Sequence, residues 1–315
     1  MSMHRELDRY LNIRRMFGAK LETEELRLRS FVTFADRDRA EYITIDLILR
    51  WMQSLRPFSA ATRAARFCAV RHFAEWLHGI DARHEAPPPR GFIPGRSRRL
   101  PPYIYSDAEI VQIIEGARNL PSIYGMRGLT CATLFGLIGV TGLRIGEALD
   151  LDTSDLDPEH GVLRIRRGKN GKERLLPLDP SVVRQLAEYC AERDRLLERR
   201  SQAFFVNCKG ARPDYCWARA NFVRACQNIG LRGTWAQPTS GRSPRIHDLR
   251  HTFAVRTLIG WYRSGKDPTR EMHRLTTYLG HEGPRDTYWY LEAVPELLEL
   301  AAARVESCGA GEVRP

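Results

Sequence analysis

The stretch EAPPPRGFIPGRSRRLPP, residues 85–102, constrains the architecture more than any other part of this chain. Its prolines fix φ and remove backbone donors, and its glycines disfavour regular structure, so neither a helix nor a strand ladder runs through it. The arginines keep it solvated. A segment of this composition is extended and semi-stiff, and it serves either as an ordinary tether or as a strap laid along a partner surface. The 315 residues therefore divide into two modest domains rather than one core, as the length also suggests. The expected boundaries are 1–84, a linker at 85–103, and 104–308.

Residues 1–84 read as mostly helical. The clearest helix runs from about Ser59 to Leu77, where Ala64, Phe67, Cys68, Val70, Phe73, Ala74 and Leu77 recur mostly at three- and four-residue intervals. Ser59 or Thr62 would cap its start. Arg63, Arg66 and Arg71 fall on the other side or its margins, either as a phosphate-contacting row or as a solvated face.

Beyond the linker, Ser106-x-x-Glu109 is a capping box that opens a helix through about Ala117. A second helix covers 128–140 and stops before Gly142. VLRIRRG (162–168) and ERLLPL (173–178) flank KNGK, a β-hairpin signature with Asn170-Gly171 at the tip. Helices follow at about 180–199, 215–229, 247–264 and 267–279. The fold class is thus mainly α with one small β-hairpin or sheet, α+β in the second domain.

Composition narrows the function classes. The net charge is +11 and the isoelectric point lies near 9.6, a bias that favours a polyanionic partner. Arginine outnumbers lysine, which suits bidentate contacts to phosphate. Seven scattered cysteines fit neither a disulfide framework nor zinc spacing. No run reaches the length of a membrane span, and the charged start MSMHRELDRYLNIRR lacks an apolar signal core. A cytoplasmic protein with reduced thiols is expected.

Five stretches carry chemistry: TGLRIGEAL (141–149), RRGKNGKERLLPL (166–178), RIHDLRHTFA (245–254), YLGH (278–281) and DTYWYL (286–291). A phosphodiester gains negative charge in its pentavalent transition state, and without metal that charge must meet fixed donors. Arg144, just after a Thr-Gly turn, could supply one, or could simply pair with Glu147. His247 and Arg250, three residues apart on one helical face, could divide phosphoryl binding and proton handling. His251, next to Arg250, points elsewhere and reads as an inward packing histidine. Lys169 could protonate a leaving 5′ oxygen from the hairpin, or could grip phosphates together with Lys172. His281 follows a Leu-Gly turn, where by itself it could be a buried turn residue.

Taken together and in this order, the five stretches resemble the tyrosine recombinases, the phage-integrase and Xer-like family, over roughly residues 104–300. The resemblance implies a helical, SAM-like core-binding domain followed by a catalytic domain. It implies Arg144, Lys169, His247, Arg250, His281 and Tyr290 as catalytic residues, with Tyr290 as the nucleophile. Tyr290 lies nine residues past His281 (281 + 9 = 290), and Thr287 matches a threonine common three residues before that position. Tyr288 is left as a packing or DNA-adjacent aromatic. Two departures from the family pattern stand out. The 31 residues from Arg250 to His281 (281 − 250) are more than usual, which suggests an enlarged loop at 260–270, and Glu282 with Pro284 follows the histidine.

The implied function is site-specific recombination through a 3′-phosphotyrosine, for integration or transposition of a mobile element, with neither metal nor nucleotide cofactor. The implied partner is double-stranded DNA, bound as a homo- or hetero-tetramer on two sites, with no membrane. A non-catalytic accessory homologue and a type IB topoisomerase are the alternatives. The tail LEAVPELLELAAARVES (291–307) forms a short amphipathic helix striped by Leu297, Leu298, Ala301, Ala302 and Val305. It either packs on its own domain or, as the resemblance implies, docks on a neighbouring protomer.

Overall fold

The computed structural model describes residues 3–19, 21–88, 101–166, 173–233, 243–280, 283, 287–290 and 294–309. The chain divides into two compact units, Met1–Arg99 and Leu100–Pro315. Most of the expected linker falls on residues outside the described set.

The first unit packs four helices: α1 (Met3–Met16), α2 (Glu22–Arg37), α3 (Ile45–Ser54) and α4 (Ala60–His78). Thr44 accepts a hydrogen bond from the Leu47 amide at the start of α3, and Ser59 from that of Thr62 at the start of α4, satisfying donors that helix beginnings leave open. Leu7, Phe31, Val32, Ile48, Val70 and Phe73 are fully buried in its core. The stripe on α4 is the one expected except at Ala64, which is only partly buried, and at Cys68, which is exposed while Ala69 is buried. Arg66 lies 4.4 Å over the Phe58 ring, and Arg71 pairs with Glu75.

In the second unit, α5 (Asp107–Arg118) begins with both halves of its capping box formed: the Glu109 amide donates to Ser106 Oγ at 3.2 Å, and the Ser106 amide to Glu109 Oε2 at 2.7 Å. Helix α6 (Met126–Thr141) is apolar nearly all round and lies at the centre of the unit, as such a helix must. Its Leu134 and Phe135 are fully buried, each worth about 1.5–3 kcal/mol of hydrophobic transfer. Around it pack α5, α8 (Pro180–Leu197), α9 (Tyr215–Asn228) and α10 (Ile246–Arg263). The short α7 (Ile145–Leu149) follows Gly142.

The sheet has three antiparallel strands in order β1-β2-β3: Leu156–Asp157, Val162–Ile165 and Arg174–Pro177. The expected hairpin is present with Val162 opposite Pro177 and Ile165 opposite Arg174, and β1 extends it by an edge strand too short to leave an alternating pattern. Helices α10, α11 (Pro268–Leu279) and α12 (Pro295–Gly309) build a second cluster from Val255, Leu258, Met272, Leu275 and Leu297, and Tyr290 packs within it. The enlarged loop expected at 260–270 is not there. α10 continues to Arg263 and α11 starts at Pro268, which leaves only residues 264–267 between them.

Leu297 is fully buried in that cluster, and Arg263 on α10 pairs with Glu296 at 2.8 Å. The first turn of α12 therefore packs on its own unit, while Leu298 is half exposed.

Candidate active site

Backbone geometry brings the first guanidinium into place. Gly142 ends α6 in the left-handed region at φ 64°, and a Cβ there would come within 2.5 Å of the Phe253 ring. Glycine is therefore required both for the turn and for the close approach. Two residues later Arg144 caps α7, its amide donating to Glu147 Oε2 at 3.0 Å. Its side chain donates to Glu147 Oε1 at 2.8 Å and to the Gly280 carbonyl at 2.6 Å. The candidate guanidinium and the partner of Glu147 are thus the same residue: the ion pair aims Arg144 at the turn after α11.

Glu147 also binds a residue that sequence reasoning missed. Arg174 on β3 donates to both its carboxylate oxygens, at 3.1 and 2.8 Å, and to the Tyr278 carbonyl at 2.9 Å. Burial pushes the Glu147 carboxyl up, but hydrogen bonding and charge from Arg174, then from Arg144, outweigh it and hold the group below the ordinary carboxylate range. Arg174 was legible only as one more basic residue near the hairpin. Gly280 makes room for the arginines: at φ 64°, its added Cβ would lie 2.9 Å from Arg174 Nη1 and 3.3 Å from Arg144 Nη1.

The second guanidinium rises from α10. Asp248 starts that helix by accepting the Arg245 amide at 3.0 Å. Arg250, 1% exposed, donates to the Gly142 carbonyl at 2.6 Å and to the Leu279 carbonyl at 2.7 Å. Burial, then the like charge of Arg144, pulls its pKa down to about 10, so it stays charged at neutral pH. Tyr290 is near enough to act on that charge. Residues separated by more than a hundred positions thus meet at the turn around 279–280.

Tyr290 lies in a helical turn at 287–290 and is 1% exposed, whereas the other candidate, Tyr288, is 43% exposed. Thr287 ties that turn to α11 through Thr276, oxygen to oxygen at 3.1 Å. The Tyr290 hydroxyl lies 2.8 Å from Nδ1 of His251. His251 does point inward, as expected, but onto the nucleophile candidate rather than into passive packing. His247 sits beside it, ring centroids 4.5 Å apart and nearly perpendicular. Lys169 and His281 lie outside the described residues. Among the described residues, then, the structure brings Arg144, His247, Arg250 and Tyr290 into one neighbourhood and adds Glu147, Arg174 and His251.

No helix among the described residues is long and apolar enough to cross a membrane. The phage integrase family model matches residues 106–296. The Sinorhizobium fredii protein y4rB, which carries an integrase/recombinase name, is 37% identical over 97% of this chain and 98% of its own length. The tyrosine recombinase XerC of Pelotomaculum thermopropionicum is 30% identical over 76% of this chain and 72% of its own. Among solved structures, the Tn1549 transposon integrase in complex with transposon right-end DNA superposes with a TM-score of 0.68 at 16% identity, covering 98% of this chain and 100% of that one. The XerH recombinase bound to difH gives 0.62 at 20% identity, over 90% and 79%. At those identities the two structures speak to the fold alone. With the family model spanning most of the second unit and a relative aligned along nearly the whole chain, this protein belongs to the phage integrase family, the tyrosine recombinases, enzymes that cleave and rejoin DNA.

Proposed function

We propose that this protein is a site-specific recombinase that cuts and rejoins double-stranded DNA through a 3′-phosphotyrosine at Tyr290, moving a mobile element by integration or transposition. The observation that carries the reading is the meeting of Arg144 and Arg250 on the carbonyls of Gly280, Leu279 and Gly142, in electrostatic reach of Tyr290. Two fixed guanidiniums suit the charge that builds on the non-bridging oxygens during attack, and each donor of this kind is worth about 10²–10³ in rate. His281 adds a third donor. Tyr290 Oη forms a bond to phosphorus as the bond to the 5′ oxygen breaks. His247, packed against His251, assists removal of the phenolic proton indirectly, and Lys169 gives a proton to the leaving oxygen. The phosphotyrosine conserves the energy of the broken linkage, so rejoining needs no nucleotide and no metal.

Residues 1–84 serve as the core-binding domain and 104–308 as the catalytic domain, joined by the 85–103 linker so that the two clamp a duplex. The +11 charge supports that partner. Two protomers bind inverted half-sites and four assemble on two duplexes, with the distal part of α12 docking between neighbours. The mobile-element role is favoured because the integrase/recombinase-named relatives of Sinorhizobium fredii align along 97% and 95% of this chain, whereas the XerC relative of Pelotomaculum thermopropionicum aligns over 76%.

The test is covalent trapping on a nicked duplex carrying a site selected by the protein from a random-sequence pool. Wild type and Tyr288→Phe should form a denaturant-resistant adduct and Tyr290→Phe should not. A bound site that yields no adduct with wild type would leave DNA binding without catalysis and refute the proposal.

A further inference from the structure

We propose that His251 is the proton acceptor for Tyr290, so that the nucleophile is activated from the position directly after the second arginine. The inference rests on Tyr290 being the nucleophile. A phenol with an ordinary pKa near 10 is ionised to only about one part in a thousand at pH 7, so a base must take its proton as the bond to phosphorus forms. A general base has to sit within about 2.6–3.2 Å of the atom it deprotonates. His251 Nδ1 satisfies this at 2.8 Å.

The surroundings fit the task. His251 is 3% and Tyr290 1% exposed, and their rings meet edge to face, with centroids 5.4 Å apart. Trp289 covers the pair, its ring 5.6 Å from His251 and 5.4 Å from Tyr290, so water competes little for the phenol. His251 and Arg250 are adjacent on α10. A helical step of about 100° sends one side chain to the carbonyls around 279 and the other to the tyrosine. One rigid helix thus fixes a phosphate donor and a base in constant relation. His247, four residues earlier on the same face, stacks edge-on against His251 at 4.5 Å and acts from behind it as a positioning residue.

In cleavage, the neutral His251 with its proton on Nε2 accepts the Tyr290 proton at Nδ1. The Oη–P bond forms and the P–O5′ bond breaks, with the 5′ oxygen protonated by a separate donor. In rejoining, the 5′ hydroxyl attacks phosphorus and gives its proton back to the group that had protonated it, the Oη–P bond breaks, and the imidazolium returns its proton to the phenolate.

The experiment measures single-turnover adduct formation on the selected nicked duplex for the full-length wild type, His251→Ala and His251→Gln, with DNA affinity and melting temperature measured alongside. Both variants should bind DNA as wild type does and form the adduct about 10²–10⁴-fold more slowly. Added imidazole should recover part of the His251→Ala rate. Replacing Tyr290 with a more acidic difluorotyrosine should shrink the His251→Gln deficit by about tenfold or more, because an acidic phenol leans less on its base; a merely structural role would not respond to phenol acidity. Rates within about threefold of wild type would overturn the assignment, since general-base removal costs far more. So would a deficit indifferent to phenol acidity, or an adduct that forms faster, which would mark the contact as a restraint. Peptide mapping separates the two readings. An adduct on Tyr290 with rates insensitive to His251 sinks this inference alone, whereas an adduct on another tyrosine sinks the nucleophile assignment and this inference with it.

Discussion

Glu147→Gln asks whether the buried ion cluster holds the site together. The carboxylate, its side chain 4% exposed, accepts four hydrogen bonds, two from Arg144 and two from Arg174. Gln keeps the volume and one acceptor oxygen but removes the charge facing two guanidiniums. Breaking a buried pair from one side costs about 3–5 kcal/mol. The low end applies here, because Arg144 is 24% exposed and each arginine keeps a carbonyl, Gly280 or Tyr278. At about 2–4 °C per kcal/mol for a unit of this size, the melting temperature of the second unit should fall by about 6–12 °C. The sign of the pH dependence follows from the depressed carboxyl pKa. The stabilisation is fully present above the unfolded value of about 4.3 and is lost as pH falls through the folded value below it. The gap between wild type and Glu147→Gln should therefore be full at pH 7 and narrow in acid. Calorimetry at both pH values is the assay, with adduct formation as a second readout. A melting temperature within about 2 °C of wild type at pH 7, less than one kcal/mol on this scale, would refute the argument.

Three further outcomes are expected. Gly280→Ala adds a Cβ at 2.9 Å from Arg174 Nη1 at φ 64°, and left-handed strain alone costs about 1–2 kcal/mol. Thermal melting should show that loss, with slower adduct formation as Arg144 is displaced. Arg250→Lys cannot span the carbonyls of Gly142 and Leu279, so single-turnover adduct formation should drop by about 10² or more while DNA binding persists; equal rates would remove Arg250 from the chemistry. Leu297→Ala, at a fully buried position, should destabilise the second unit by about 2–5 kcal/mol. Urea unfolding indistinguishable from wild type would mean that α12 does not pack on its own unit.

Much of the molecule was legible because it is local. The Ser106–Glu109 box, the Ser59 cap, the Gly142 stop and the strand runs either side of Asn170-Gly171 each act between residues a few positions apart. The elements they specify appear within a residue or two of the expected bounds. Where expectations failed, a local signal was overlooked or overridden. The helices expected at 247–264 and 267–279 already left little room for a large loop at 260–270, and on α4 packing buried Ala69 in preference to Cys68.

The sequence by itself determined which residue types stand at which spacing, and through its resemblance to the tyrosine recombinases it implied the candidate set of Arg144, Lys169, His247, Arg250, His281 and Tyr290. Only tertiary packing decided which of the described groups touch. His251 and Tyr290 are 39 residues apart, and Glu147 and Arg174 are 27 apart. Neither pair follows from periodicity, because a spacing rule fixes neighbours along one helix and says nothing about which face a second helix or strand will meet. That the inward histidine should meet the tyrosine, and that β3 should lend an arginine to α7, came from how α10, α11 and the sheet close around the turn at 279–280.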